Sequence, residues 1–313
     1  MNDHTLQPHN VTALSGGVGG ARLLHGLAAV LSPEALTIIA NTGDDFEHWG
    51  LRVCPDVDTI LYTLAGVGHV TRGWGLADET FQTLERVAKL GGPDWFRIGD
   101  RDLATHLTRA GLLAQGKSLA EVTDHLRRHL GVAQRILPMS NHPRPTIIHT
   151  PDHGPLIFQD WFVLHRARPS SAQISFEGTP EAAPGVLEAI QQADVVIFGP
   201  SNPFVSIDPI LSLDGVRESL AAKTVVAVSP IVGGKAVKGP LAEMLLQRGK
   251  TPSPQAIVDH YQGLLSGIVI ERGDTPPDIP HLSTDTVMRS LDDRQALAKS
   301  TLEFTLGLAG DTL

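Results

Sequence analysis

A short apolar stretch, Val11-Thr-Ala-Leu14, runs directly into Ser15-Gly-Gly-Val-Gly-Gly20. A helical pattern of apolar residues follows at Ala21, Leu23, Leu24, Leu27, Ala28 and Leu31. Strand, glycine bend and helix in that order narrow the fold more than any other feature. Such a bend lets the backbone approach a phosphate, while the free N–H groups at the helix start face its charge. Two familiar versions are excluded. The dinucleotide fingerprint needs a third glycine where Arg22 stands after Gly17-Val-Gly19, and the lysine and Ser/Thr pair of a P-loop are missing. A tight turn without a ligand is the competing reading.

The rest of the chain repeats the rhythm. Residues 36–40, 194–198, 224–228 and 267–270 are short runs apolar on both faces, as parallel strands buried under helices are. Helical spacing marks 185–192, 205–213, 241–247, 256–265 and 294–308. Alternating strands and helices predict an α/β fold with a Rossmann-like, doubly wound, mostly parallel sheet. Residues 72–132 carry helical spacing at 78–90, 102–114 and 119–130 without a strong strand, which predicts a helical insertion. Ser118 with Glu121 forms a capping box for the last of these. Extended segments at 146–149, 156–158, 161–164 and 173–176 predict a small antiparallel patch. The length of 313 residues fits one large α/β domain carrying these additions.

Acidic side chains concentrate after the second strand. Asn41-Thr-Gly-Asp-Asp45 and Pro55-Asp-Val-Asp-Thr59 place Asp44, Asp45, Asp56 and Asp58 within fifteen positions, with Arg52 and Arg72 as nearby cations. Carboxylates converging on one rim repel unless a positive charge sits among them. Magnesium suits such a rim, because it is held by one or two carboxylates plus substrate phosphate oxygens. The plainer reading gives these residues to turns and caps, with Asp58 a helix N-cap.

Three further tracts follow. Gly199-Pro-Ser-Asn-Pro203 lies at a strand's carboxyl end, where open α/β sheets bind ligands, so Ser201 and Asn202 are candidates for nucleotide contacts. Arg97-Ile-Gly-Asp-Arg-Asp102 offers two guanidiniums suited to phosphate or a planar ring, with Asp102 as a helix cap. Residues 229–240 place two lysines among glycines after a strand. A net charge of -9 argues against a nucleic-acid-coating surface. The single cysteine, Cys54, excludes a disulfide framework and a Cys-rich zinc site. The fourteen histidines show no metal-ligand spacing. No apolar run reaches the ~18 residues of a membrane span, and residues 1–10 lack a signal-peptide pattern. A cytoplasmic protein is expected.

In this order the tracts at 15–20, 41–45, 55–59, 73–75, 97–106, 199–203 and 229–234 resemble the CofD family, over most of the chain. These are the 2-phospho-L-lactate transferases and phosphoenolpyruvate-using relatives of coenzyme F(420) biosynthesis. The resemblance implies a magnesium-dependent transfer from a guanosine diphosphate-linked C3 acid to the deazaflavin Fo, with release of GMP. It implies Fo contacts at Asp58 and Arg97, and metal ligation at Asp45 with Asp58; whether Asp44 or Asp45 meets the metal depends on backbone geometry. It implies nucleotide binding at Ser15, Gly16, Gly17, Val18, Gly19, Ser201 and Asn202, and a homodimer. Asp58 is the expected catalytic base, with metal ligation its competing role. A non-enzymatic nucleotide-sugar-binding regulator of the wider superfamily is the alternative, and a nicotinamide oxidoreductase is disfavoured by the broken fingerprint. Which C3 acid is carried is not legible.

Overall fold

The computed structural model describes residues 10–171 and 173–310; nearly all of the amino-terminal stretch searched for a signal lies outside them. The chain opens with β1 (Val11–Ser15), α1 (Gly17–Val30) and β2 (Leu36–Ala40). A hairpin of β3 (Phe46–His48) and β4 (Leu51–Val53) leads into α2 (Pro55–Leu64). The insertion supplies α3 (Gln82–Lys89), α4 (Asp100–Ala114) and α5 (Leu119–His129), and ends at β5 (Arg135–Pro138). Strands β6 (Thr146–Thr150), β7 (Gly154–Ile157) and β8 (Gln173–Phe176) form a separate antiparallel sheet in the order β7-β6-β8. Then come α6 (Val186–Gln192), β9 (Val195–Phe198), α7 (Asp208–Leu211), α8 (Val216–Leu220) and β10 (Thr224–Val228). The ribbon β11 (Ile231–Val232) and β12 (Lys235–Ala236) precedes α9 (Leu241–Leu246) and α10 (Pro254–Tyr261). Strands β13 (Gly267–Glu271) and β14 (His281–Thr284) and helix α11 (Leu291–Gly310) complete the chain.

Seven strands form the central sheet in the order β14-β13-β10-β9-β1-β2-β5, every pair parallel. Side chains alternate between its faces, as the pleat requires. Val11, Ala13, Leu36, Ile38, Val195, Ile197, Val226 and Val228 join one core, with Leu23, Leu24 and Leu27 of α1. Leu14, Ile39, Val196, Phe198, Val225 and Ala227 join the other, with Ile190 and Val216. Both faces are dry, so the strands read as continuous apolar runs and not as alternation. From β1 the chain winds first toward β5 and then back toward β14. The order therefore reverses between β1 and β9, the place where open α/β sheets part their loops and take ligands.

Local chemistry explains the departures from the sequence reading. Residues 161–164 form a helical turn, Asp160–Leu164, and not a strand. Trp161 is fully buried there, and its indole N–H donates to the Pro169 carbonyl at 2.8 Å, which pins the chain in a bend. Asp58 is not an N-cap. The helix starts one turn earlier with Pro55 at its first position, where a missing N–H costs nothing, and the Asp58 N–H already donates to the Cys54 carbonyl at 2.9 Å. Asp102 is not a cap either, since α4 begins at Asp100. Instead the two insertion helices cap each other. Glu79, just before α3, accepts from the Arg101 and Asp102 N–H groups at 3.0 and 2.8 Å, and Asp100 accepts from those of Gln82 and Thr83, both at 2.9 Å. The Ser118–Glu121 capping box forms as read.

Helix α1 lies against α11 with Gly26 at the crossing, where a Cβ would sit 2.5 Å from the Arg294 carbonyl carbon. A side chain at position 26 must push the two helices apart. Gly26→Val should cost about 1–3 kcal/mol, in line with overpacked cores, and lower the melting temperature by several degrees in a circular-dichroism melt. An unchanged melt would refute the close crossing.

Candidate active site

At the reversal of strand order the loops after β1 and β9 lock together. The Ser201 hydroxyl donates to the Gly16 carbonyl at 2.8 Å and accepts from the Gly16 N–H at 3.2 Å; Ser15 Oγ lies 3.4 Å from Ser201 Oγ. The Gly199 N–H donates to the Leu14 carbonyl at 3.0 Å. A Cβ on Gly19 would stand 2.6 Å from the Pro200 carbonyl oxygen, so only glycine permits this approach. The joined loops form one wall of a cleft of about 650 Å³. Helix α1 starts at Gly17, inside the glycine run, so its first N–H groups belong to that wall.

Below the bend lies an acidic floor. The Asn41 side-chain amide donates to Asp56 Oδ2 at 2.9 Å and to Asp44 Oδ1 at 3.3 Å, while its carbonyl accepts from the Gly43 N–H at 2.8 Å. Asp56 Oδ1 accepts from the Gly17 N–H at 2.7 Å, tying the floor to the glycine bend. Gln159 donates to Asp44 Oδ2 at 2.9 Å. Both carboxyls are 6 % exposed. Burial pushes Asp56 up to about 6, against the bonds from Asn41 and Gly17. Burial, then the neighbouring Asp56 and Asp45, raises Asp44 well above the carboxylate range.

A second buried polar group joins α2 to α4. Arg109, 1 % exposed, donates to Asp58 Oδ1 and to the Arg52 carbonyl at 3.3 Å, and its Nη1 lies 3.0 Å from His106 Nδ1. His106 Nε2 stands 3.5 Å from Asp102 Oδ1, which accepts the Tyr62 hydroxyl at 2.7 Å. Burial works against the Arg109 charge, yet Asp58 beside it holds the guanidinium above its ordinary value. Asp58, Tyr62, Asp102 and His106 all line the cleft.

The remaining wall is aromatic and cationic. Arg97 stacks 4.3 Å from the Phe81 ring centroid, and Arg72 stands 5.1 Å from that of Trp74. Trp95, Phe96, Phe158 and Phe162 line the cleft nearby. Opposite the glycine bend, Lys238 reaches across to donate to the Arg72 carbonyl at 2.6 Å, so two loops distant in sequence roof that end of the cleft.

The structure brings Gly16, Gly17, Val18, Gly19, Ser201, Asn202, Asp58 and Arg97 into this one cleft. Ser15 lies behind it, fully buried. Asp45, expected as a metal ligand, is turned away. Its Oδ2 accepts from Arg52 Nε and Nη2 at 3.1 and 3.0 Å, because β4 delivers that guanidinium beside it. The carboxyl of this turn that reaches the cleft is Asp44.

A family model described as 2-phospho-L-lactate transferase CofD matches residues 11–298. The chain belongs to the CofD family. It is 41 % identical to a phosphoenolpyruvate transferase of Thermobifida fusca, over 96 % of this chain and 95 % of that one. It is 39 % identical to a 2-phospho-L-lactate transferase of Methanocaldococcus jannaschii, over 94 % and 97 %. A crystal structure of a UPF0052-family protein from Bacillus halodurans has the same fold, with a TM-score of 0.63 at 19 % identity over 95 % of this chain and 99 % of that one. Membership makes this chain a transferase. Among the described residues no helix is long and apolar enough to cross a membrane.

Within this CofD-family cleft, a cation would rest on few protein ligands. Among the described residues no three His, Cys, Asp or Glu side chains gather into a metal-holding group. Asp44 and Asp56 share one amide nitrogen and face the cleft, and two carboxylates completed by ligand phosphate oxygens suit magnesium. The group the sequence reading missed is Asp102, His106 and Arg109. Their i, i+4, i+7 spacing puts three charged or polar side chains on one helix face, and α4 turns that face inward.

A carboxyl whose folded value is raised stabilises the protein below its unfolded value and loses that contribution as pH rises through the folded one. Asp56, near 4 unfolded and about 6 folded, should therefore lower the melting temperature of the metal-free protein between pH 4 and 6. Asp56→Asn should flatten that part of the melting-temperature profile. An identical slope in the variant would show that Asp56 is not the group responsible.

Proposed function

We propose that this transferase moves a phospholactyl or phosphoenolpyruvyl group from a guanosine diphosphate-linked donor to the deazaflavin Fo, releasing GMP and giving the (dehydro) form of coenzyme F(420)-0. The observation that carries this reading is the single cleft with two unlike ends. One end is a glycine bend with helix N–H groups above paired carboxyls, suited to a diphosphate with its cation. The other is an aromatic chamber bounded by Arg97 and Asp58, suited to a flat ring bearing a hydroxylated chain. The names of the relatives over nearly the full chain support the same reaction class.

The terminal ribityl hydroxyl of Fo attacks the phosphorus that bears the C3 acid. A new P–O bond to Fo forms, the P–O bond to GMP breaks, and GMP departs with the bridging oxygen. The hydroxyl proton passes to a carboxylate beside it, and Asp58 is that group in this reading. Phosphoryl-type transfer asks a protein mainly for positioning and charge neutralisation. Magnesium held by Asp44 and Asp56 would supply several kcal/mol by stabilising charge on the transferring oxygens. The N–H groups of α1 just beyond Gly17, whose own goes to Asp56, orient the donor, and Arg97 with the aromatic wall orients the ring.

Incubating the protein with Fo, magnesium and each guanylylated C3 acid in turn, then weighing the deazaflavin product, tests this directly. A phosphodiester adduct of Fo is expected with one donor. No adduct with any, together with tight binding of a UDP-sugar, would replace the reading with a nucleotide-sugar-binding regulator. Asp58→Asn should lower kcat by about 10²–10⁴. Arg97→Ala should raise KM for Fo roughly tenfold through the lost cation–aromatic contact. Near wild-type turnover of Asp58→Asn would remove Asp58 from the chemistry.

A further inference from the structure

The group beneath Asp58 has more order than an ion pair needs. A guanidinium has donors and no acceptor, so Arg109 Nη1, 3.0 Å from His106 Nδ1, must donate to it. The ring proton then sits on Nε2, toward Asp102. Arg109 spends its other contacts on Asp58 Oδ1 and the Arg52 carbonyl. One oxygen of Asp58 is thereby committed. The other, Oδ2, is buried with no hydrogen-bond partner, 3.8 Å from His106 Nδ1, in a residue that lines the cleft. His106 Nε2 likewise lacks a hydrogen-bond partner in the cleft wall.

Stability does not call for this arrangement. A buried ion pair is commonly no better than apolar side chains of the same volume, whereas an unpartnered buried oxygen carries a cost. Both terms are satisfied when a ligand hydroxyl meets Oδ2.

We infer that His106 and Arg109 are positioning residues: His106 Nδ1 orients the Arg109 guanidinium, which clamps Asp58 Oδ1 and leaves Oδ2 as the one oxygen free to take the attacking hydroxyl. This deepens the reading of Asp58 above and rests on it. Neither residue touches the reacting atoms. Their effect travels through the direction of one carboxylate, and misplacing a reacting group by about 1 Å costs on the order of 10²-fold in rate.

The decisive comparison is His106→Leu against His106→Asn. Asparagine retains an acceptor close to where Nδ1 stood, and leucine has none. His106→Leu should lower kcat by about 10–100-fold with KM for the guanylylated donor within about twofold. His106→Asn should lose roughly tenfold less. In an Asp58→Asn background, His106→Leu should cost almost nothing more, because residues acting as a unit are non-additive. Crystal structures of the two variants should show the Asp58 carboxylate rotated in the leucine variant and held in the asparagine variant. Equal losses in both variants, losses that multiply with Asp58→Asn, or an unmoved carboxylate in His106→Leu would each overturn the proposal. If the parent protein transfers nothing to Fo, the functional reading falls by itself, and the carboxylate's orientation in the crystals still decides whether His106 and Arg109 position it.

Discussion

The structure depends on how closely two loops approach where the sheet changes direction. Ser201 closes a two-bond ring with the Gly16 backbone, and Gly19 lets the Pro200 carbonyl come within contact. Any larger residue would separate the carboxyl ends of β1 and β9. The glycine-bend end of the cleft follows from this contact. It sets the start of α1 in the cleft wall, and it brings Asp56 of the next helix under the bend through the Gly17 N–H. The doubly buried sheet supplies the stiffness that keeps the geometry.

Charge is sorted with equal economy. Four carboxyls within fifteen positions meet two different fates. Asp45 and Asp58 are neutralised by Arg52 and Arg109. Asp44 and Asp56 meet no guanidinium and keep only amide donors, so burial raises both. The first pair is held by the protein's own arginines, and the second pair faces the cleft. The division arises from helix and strand phase: β4 brings one arginine to Asp45, and the inner face of α4 brings the other to Asp58.

Much of this was legible in the sequence. The glycine bend, the parallel strands and the insertion between Arg72 and Val132 all follow from runs of like residues, and such runs fix faces and periods without tertiary help. The carboxyl ends of β1 and β9 could be assigned to one site because open sheets gather ligands there. Other features needed the fold. Strands β5 and β14 stand at the sheet's two edges and are only four residues each; β14 is polar apart from Leu282, and in β5 the apolar run is just Ile136 and Leu137 before Pro138, too short to announce a strand. The β3–β4 hairpin turns through Trp49 and Gly50, both at positive φ, where an asparagine would have announced the turn. The choice between Asp44 and Asp45 depends on which side chain Arg52 captures. Arg109 lies fifty-one positions from Asp58 and declares its role only through the inward face of α4.

The mutual capping of the insertion helices has a mechanical consequence. The start of α3 is closed by Asp100, the first residue of α4, and the start of α4 by Glu79, just before α3, so neither can fray without releasing its partner. The pair is a self-latched brace whose rigidity comes from its own hooks. Because α4 also carries the arginine beneath Asp58, the brace hands that rigidity to a single carboxylate in the wall of the cleft.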